Sequence, residues 1–151
     1  MRFYFLLAAL LQFLNPIPET RVNAVTFTAN NAYIAFPNTI DFSVTISSEE
    51  PISDVVFLYG TDERTCSDVQ AMSLPQFSPG RQVTSKWQWD MRNSGSLPPG
   101  TQVWWQWKAV TESGDVVISE KKTITWIDSV HLWKVIGRDS VRVHYYGISA
   151  A

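Results

Sequence analysis

Along residues 81–91, Val83, Ser85, Trp87, Trp89 and Met91 alternate with Gln82, Thr84, Lys86, Gln88 and Asp90. A period of two sends each set to its own face of a β-strand, large apolar groups on one side and polar groups on the other. A second run, residues 101–110, follows the turn Leu97-Pro98-Pro99-Gly100, where proline presets φ and glycine accepts a positive one. In it Val103, Trp105, Trp107 and Ala109 share the core face, with Trp104, Gln106, Lys108 and Val110 on the other. A third run, residues 116–127, opens after Glu112-Ser113-Gly114-Asp115 and loses its alternation at Glu120-Lys121-Lys122. Residues 81–127 hold six of the chain's seven tryptophans. They are expected to form three consecutive antiparallel strands at the heart of a β-sandwich.

The preceding chain reads in the same way. Residues 25–36 form a first strand that kinks at Asn30-Asn31 and changes sheet. After Pro37-Asn38, Ile40, Phe42, Val44 and Ile46 alternate with Asp41, Ser43, Thr45 and Ser47. Ser48-Glu49-Glu50-Pro51 reads as a turn. Residues 52–59 are apolar on both faces from Val55 onward, so they form a central strand covered on both sides. Residues 60–68 are a loop and 69–74 a weak edge strand, and Phe77 tucks back into the core. No helical period occurs in the mature chain. Short strands at this spacing imply an all-β immunoglobulin- or fibronectin type III-like sandwich of about seven strands over residues 25–127. Residues 128–151 are a linker and a terminal hairpin, with strands at 131–136 and 140–146 about Gly137-Arg138-Asp139. A lone hairpin is marginal in water, so it pairs with the sandwich or belongs to something beyond it; the second is favoured.

At the amino terminus Met1-Arg2 precedes residues 3–14, apolar except for Gln12, too short to span a bilayer, which takes ~20 residues, and suited to a secretory signal. Val22-Asn23-Ala24 suits a cleavage site, giving a signal peptide over residues 1–24 and a secreted or cell-surface product. The competing reading is a retained apolar helix, which Glu19 and Arg21 mildly favour. The membrane enters only through this segment before cleavage. The 151 residues set a prior of one domain, and 45% hydrophobic with 17% charged residues suits a globular one. A formal net charge of −2, scattered along the chain, supplies no basic footprint for nucleic acid. Cys66, the single cysteine, has no partner for an intrachain disulfide and no histidine nearby in sequence to activate it.

The order of pieces resembles the amino-terminal region of bacterial secreted proteins that carry a peptidase MA-like metallohydrolase domain. The residues that carry the resemblance are Phe36-Pro37 before Ile40-Asp41-Phe42, and Ile52-Ser53-Asp54-Val55 before Leu58-Tyr59. Trp89-Asp90, Leu97-Pro98-Pro99-Gly100, Trp104-Trp105 and residues 114–119 follow, and Asp128, Trp133 and residues 141–146 close the set. The resemblance implies an immunoglobulin-like sandwich ahead of a zinc peptidase domain whose first strand is similar to residues 141–146. That family's catalysis needs His-Glu-x-x-His, two imidazoles on one helix face with a glutamate base. The motif is absent, and His131 and His144 do not replace it. No metal ligand or catalytic residue carries over, and no cofactor is expected.

The principal reading is therefore a non-catalytic extracellular accessory or interaction module, whose partner is a following peptidase domain. The alternative is a carbohydrate-binding module using exposed tryptophans, with a polysaccharide or protein as ligand. For that alternative the candidate surface is Trp104, Gln106 and Lys108, with Trp133 as a second flat face. Tryptophans suit either a sugar platform or a sandwich core, and the period-two placement favours the core for most of them. A complete enzyme would need His131 or His144 arranged with Asp128 or Asp139, but both histidines sit on terminal strands and no nucleophile elbow is present.

Overall fold

The structure, a computed structural model, describes residues 24–61 and 71–147. All of the expected signal peptide but Ala24, nearly all of the loop around Cys66 and the last residues of the chain lie outside the described residues. The strands are β1 (Thr26–Ala35), β2 (Thr39–Thr61), β3 (Ala71–Ser73), β4 (Gly80–Asp90), β5 (Gln102–Thr111), β6 (Val116–Ile118), β7 (Lys122–Thr125), β8 (Lys134–Arg138) and β9 (Val141–Tyr145). One short helix, α1 (Met91–Ser94), lies between β4 and β5.

The chain is an all-β sandwich, made from a single seven-stranded antiparallel sheet that curls on itself. The strand responsible is β2. Its first half pairs with β1 on one side and β4 on the other, and its second half pairs with β3 and β5. The register slips between Ser47 and Ile52 on the β4 side, where one layer gives way to the next. Ser48-Glu49-Glu50-Pro51, expected to be a turn, is thus a bend within one long strand. Charged and proline residues suit it because a bend needs few regular ladder bonds.

The two layers face each other through alternate side chains. Ile40, Phe42, Val44 and Ile46 from β2 meet Val55 and Phe57 from its continuation, Val83 from β4 and Val103, Trp105, Trp107 and Ala109 from β5, all buried. Ring contacts cross the gap, Phe42 to Phe57 at 4.8 Å and Phe42 to Trp105 at 5.4 Å between centroids. Trp87 reaches Phe57 at 4.8 Å and Tyr59 at 4.4 Å. Residues Val55 to Leu58 are buried on both faces, as their continuous apolar run implies. Phe77 packs against the core from the connection before β4.

Other expectations change as well. The strands carrying the tryptophans are not three consecutive ladder partners, because β4 lies in the first layer and β5 in the second. The connection between them crosses the sandwich. Asp90 ends β4 by accepting a hydrogen bond from the Arg92 backbone at 3.0 Å, which caps α1 and removes Met91 from the strand. The first strand does kink at its asparagines, with a register shift between Thr28 and Asn31 and Ala29 at φ 46°, but it stays paired with β2 throughout. The third run is interrupted at residues 119–121 and becomes β6 and β7, both laid on β5.

The hairpin β8–β9 forms a sheet of its own. Its turn is Asp139–Ser140 and not the expected Gly137-Arg138-Asp139, since Gly137 and Arg138 are still paired in the strand, and Asp139 has φ 53° as a tight two-residue turn requires. It nevertheless touches the sandwich: the His144 ring lies over Gly100 and leaves no room for a β-carbon there.

Candidate binding groove

The residues of the expected surface on β5 stand in one row. Trp104, Gln106 and Lys108 alternate on the outer side of the second layer, opposite Gly60, Leu58 and Val56 of β2. The indole of Trp104 lies on the bare backbone of Gly60, where a β-carbon would come within 2.8 Å of the ring. The Lys121 ammonium stands 4.2 Å from the ring centroid. This indole is engaged by the sheet and by a cation. Gln106 is also committed, donating from Nε2 to the Ser119 carbonyl at 3.0 Å.

Trp133 belongs to a different cluster, beyond the sandwich. Its Nε1 donates to the Asp128 carbonyl at 2.9 Å, and its ring meets Tyr146 edge-on at 4.7 Å. The His131 ring meets Tyr146 at a tilt, 4.2 Å between centroids, and places Nδ1 2.8 Å from Asp128 Oδ2. The Val130 backbone N–H and the His131 ring hold the Asp128 carboxyl below its ordinary range. These contacts brace the linker. Among the described residues no group of His, Cys, Asp and Glu side chains is placed to hold a metal ion.

Most of the remaining tryptophans are interior. Trp105 and Trp107 point inward from β5, and both indole N–H groups donate to one acceptor, Asn30 Oδ1, at 2.8 and 3.2 Å. Lys122 donates to the Asn30 carbonyl at 2.8 Å. The kink in β1 thus carries a buried amide to the indoles of the opposite layer. Trp126 is fully buried and ties the Pro98-Pro99-Gly100 turn to the core, its Nε1 donating to Leu97 at 3.0 Å.

An open concavity lies on the other layer. Register places Tyr33, Asp41 and Gln88 side by side across β1, β2 and β4, with Asn31, Ser43 and Lys86 forming the next row on the same face. These six side chains line a groove of about 470 Å³, whose floor also includes Ala32, Phe42 and Trp87. Tyr33 is 70% exposed, a large ring left standing on the sheet. Gln88 Nε2 donates to Asp41 Oδ1 at 2.6 Å, and Thr39 Oγ1 donates to Asp41 Oδ2 at 3.4 Å. The groove therefore offers one flat aromatic face with an acceptor and several donors held beside it. Sequence reasoning singled out none of these residues. The signal was the polar parity of residues 40–47 and 82–90, read only as solvent-facing, together with Tyr33 as the one aromatic side chain on that face.

A scan of protein-family models finds no match to this chain, and a search of curated proteins finds none either. Among solved structures, the chain is similar to the carbohydrate-binding module in the crystal structure of Br derivative BhCBM56, at 8% identity and a TM-score of 0.42. The match covers 64% of this chain and 88% of that one. A likeness this loose carries no argument about ligands.

Proposed function

We propose that this chain is a non-catalytic β-sandwich binding module whose ligand is a carbohydrate, taken up in the groove over β1, β2 and β4. The observation that carries the reading is Tyr33, exposed on a concave sheet face with Asp41 and Gln88 in its own row and Asn31, Ser43 and Lys86 in the next. A pyranose presents an apolar C–H face and a rim of hydroxyls that both donate and accept. A flat ring meets the first, and a carboxylate with amides and an ammonium meets the second. The tryptophan platform expected on β5 is the weaker site, since Trp104 is already covered by Gly60 and Lys121.

Affinity electrophoresis of the purified chain against a panel of soluble polysaccharides tests this. Retardation by at least one glycan, lost in Tyr33→Ala and kept in Trp104→Ala, is the expected result. Retardation by none of them removes the reading.

The resemblance to the accessory region of a secreted metallohydrolase supplies a second reading. It is favoured by the hairpin, a separate sheet that exposes Ile136, Val141 and Val143. On that reading a following domain covers the hairpin, and secretion brings the module to its glycan. Coding sequence beyond Ala151 with an in-frame His-Glu-x-x-His supports it, and a stop codon there removes it.

A further inference from the structure

We infer that the groove selects an acidic saccharide, with a uronic acid carboxylate seated at Lys86; this rests on the carbohydrate reading above. The outward side of the β1–β2–β4 layer is built mostly of hydroxyls and amides, among them Thr28, Thr45, Ser47, Gln82 and Thr84. Charge enters this face at Asp41, in the row of Tyr33, and at Lys86, in the next. Asp90, further along, is occupied by the α1 cap and by Arg92 at 2.7 Å.

The two charges are in different states. Both oxygens of Asp41 already accept hydrogen bonds, from Gln88 and Thr39. Lys86 forms no ion pair among the described residues. Its cross-strand neighbour is Ser43, and beyond Ser43 lies Asn31, so an ammonium, a hydroxyl and an amide stand in one row. That row lies two residues along the strand from Tyr33, roughly 7 Å, within the span of one sugar unit and its substituent. A carboxylate projecting from a sugar stacked on Tyr33 meets donors there and no competing acid in direct contact. The chain as a whole carries −2 and exerts no long-range pull on a polyanion. Selection is therefore local to this row, and a charge-assisted hydrogen bond is strong enough to supply it.

Calorimetric titration compares oligogalacturonate and alginate oligomers with the same oligomers after reduction of their carboxyl groups, and with neutral glucan and mannan oligomers. The acidic forms are expected to bind about tenfold more tightly than their reduced counterparts. Lys86→Gln erases that difference while leaving weak binding to the reduced oligomers, and Tyr33→Ala removes binding of both. Equal affinity for acidic and reduced forms overturns the acidic selection, a preference unchanged in Lys86→Gln overturns the seat at Lys86, and both leave the carbohydrate reading standing. Failure of every oligomer to bind overturns both.

Discussion

Asn30 is the residue on which the two layers are joined most specifically. It is 6% exposed, and its side-chain oxygen accepts from Trp105 and Trp107 at once. Asn30→Ala leaves two interior indole N–H groups without a partner, which costs about 1–3 kcal/mol per unsatisfied group. Urea denaturation should show the midpoint falling with the slope unchanged. Gly60 is the second such residue. Gly60→Ala puts a methyl where the Trp104 ring lies, so the indole must lift from the sheet and leave Lys121. A shift in the Trp104 indole N–H resonance, with little change at Trp107, is the expected signature. Neither residue was legible in the sequence beyond its local role: Asn30 read as a kink and Gly60 as the start of a loop. What each does depends on partners far along the chain, 75 residues apart for Asn30 and Trp105.

At the scale of elements, alternation made the strands legible and left their partners open. Period two assigns Val103, Trp105, Trp107 and Ala109 to the core, and all four are buried. Truncating Trp107 to alanine therefore removes a fully buried indole and costs about 3–5 kcal/mol. Alternation could not say that β4 pairs with β2 and not with β5, because the same inward face suits either layer. It could not distinguish a bend from a turn at Pro51, since both want the same residue types. The linker responds to pH through Asp128. Its folded carboxyl titrates below the ordinary value of 3.8, so its contribution is present above that value and fades as pH falls through the lower folded one. The Trp133 indole N–H, bonded to the Asp128 backbone, should report that loosening in acid before the core unfolds.

For the whole molecule, the sandwich divides its aromatic residues between two uses. Trp105, Trp107 and Trp126 hold the layers together, whereas Tyr33 stands open on a polar face. Composition alone could not make that division, because a high aromatic content suits a core and a binding platform equally. Pairing three strands from distant parts of the chain makes the groove, bringing Tyr33, Asp41 and Gln88 into one row. The most direct test of the account is a two-dimensional amide NMR spectrum recorded during titration with a glycan that the chain retains. The account predicts shifts concentrated at Asn31, Tyr33, Asp41, Ser43, Lys86 and Gln88. Shifts centred on Trp104, Gln106 and Lys108, with the β1–β2–β4 face unmoved, would contradict it.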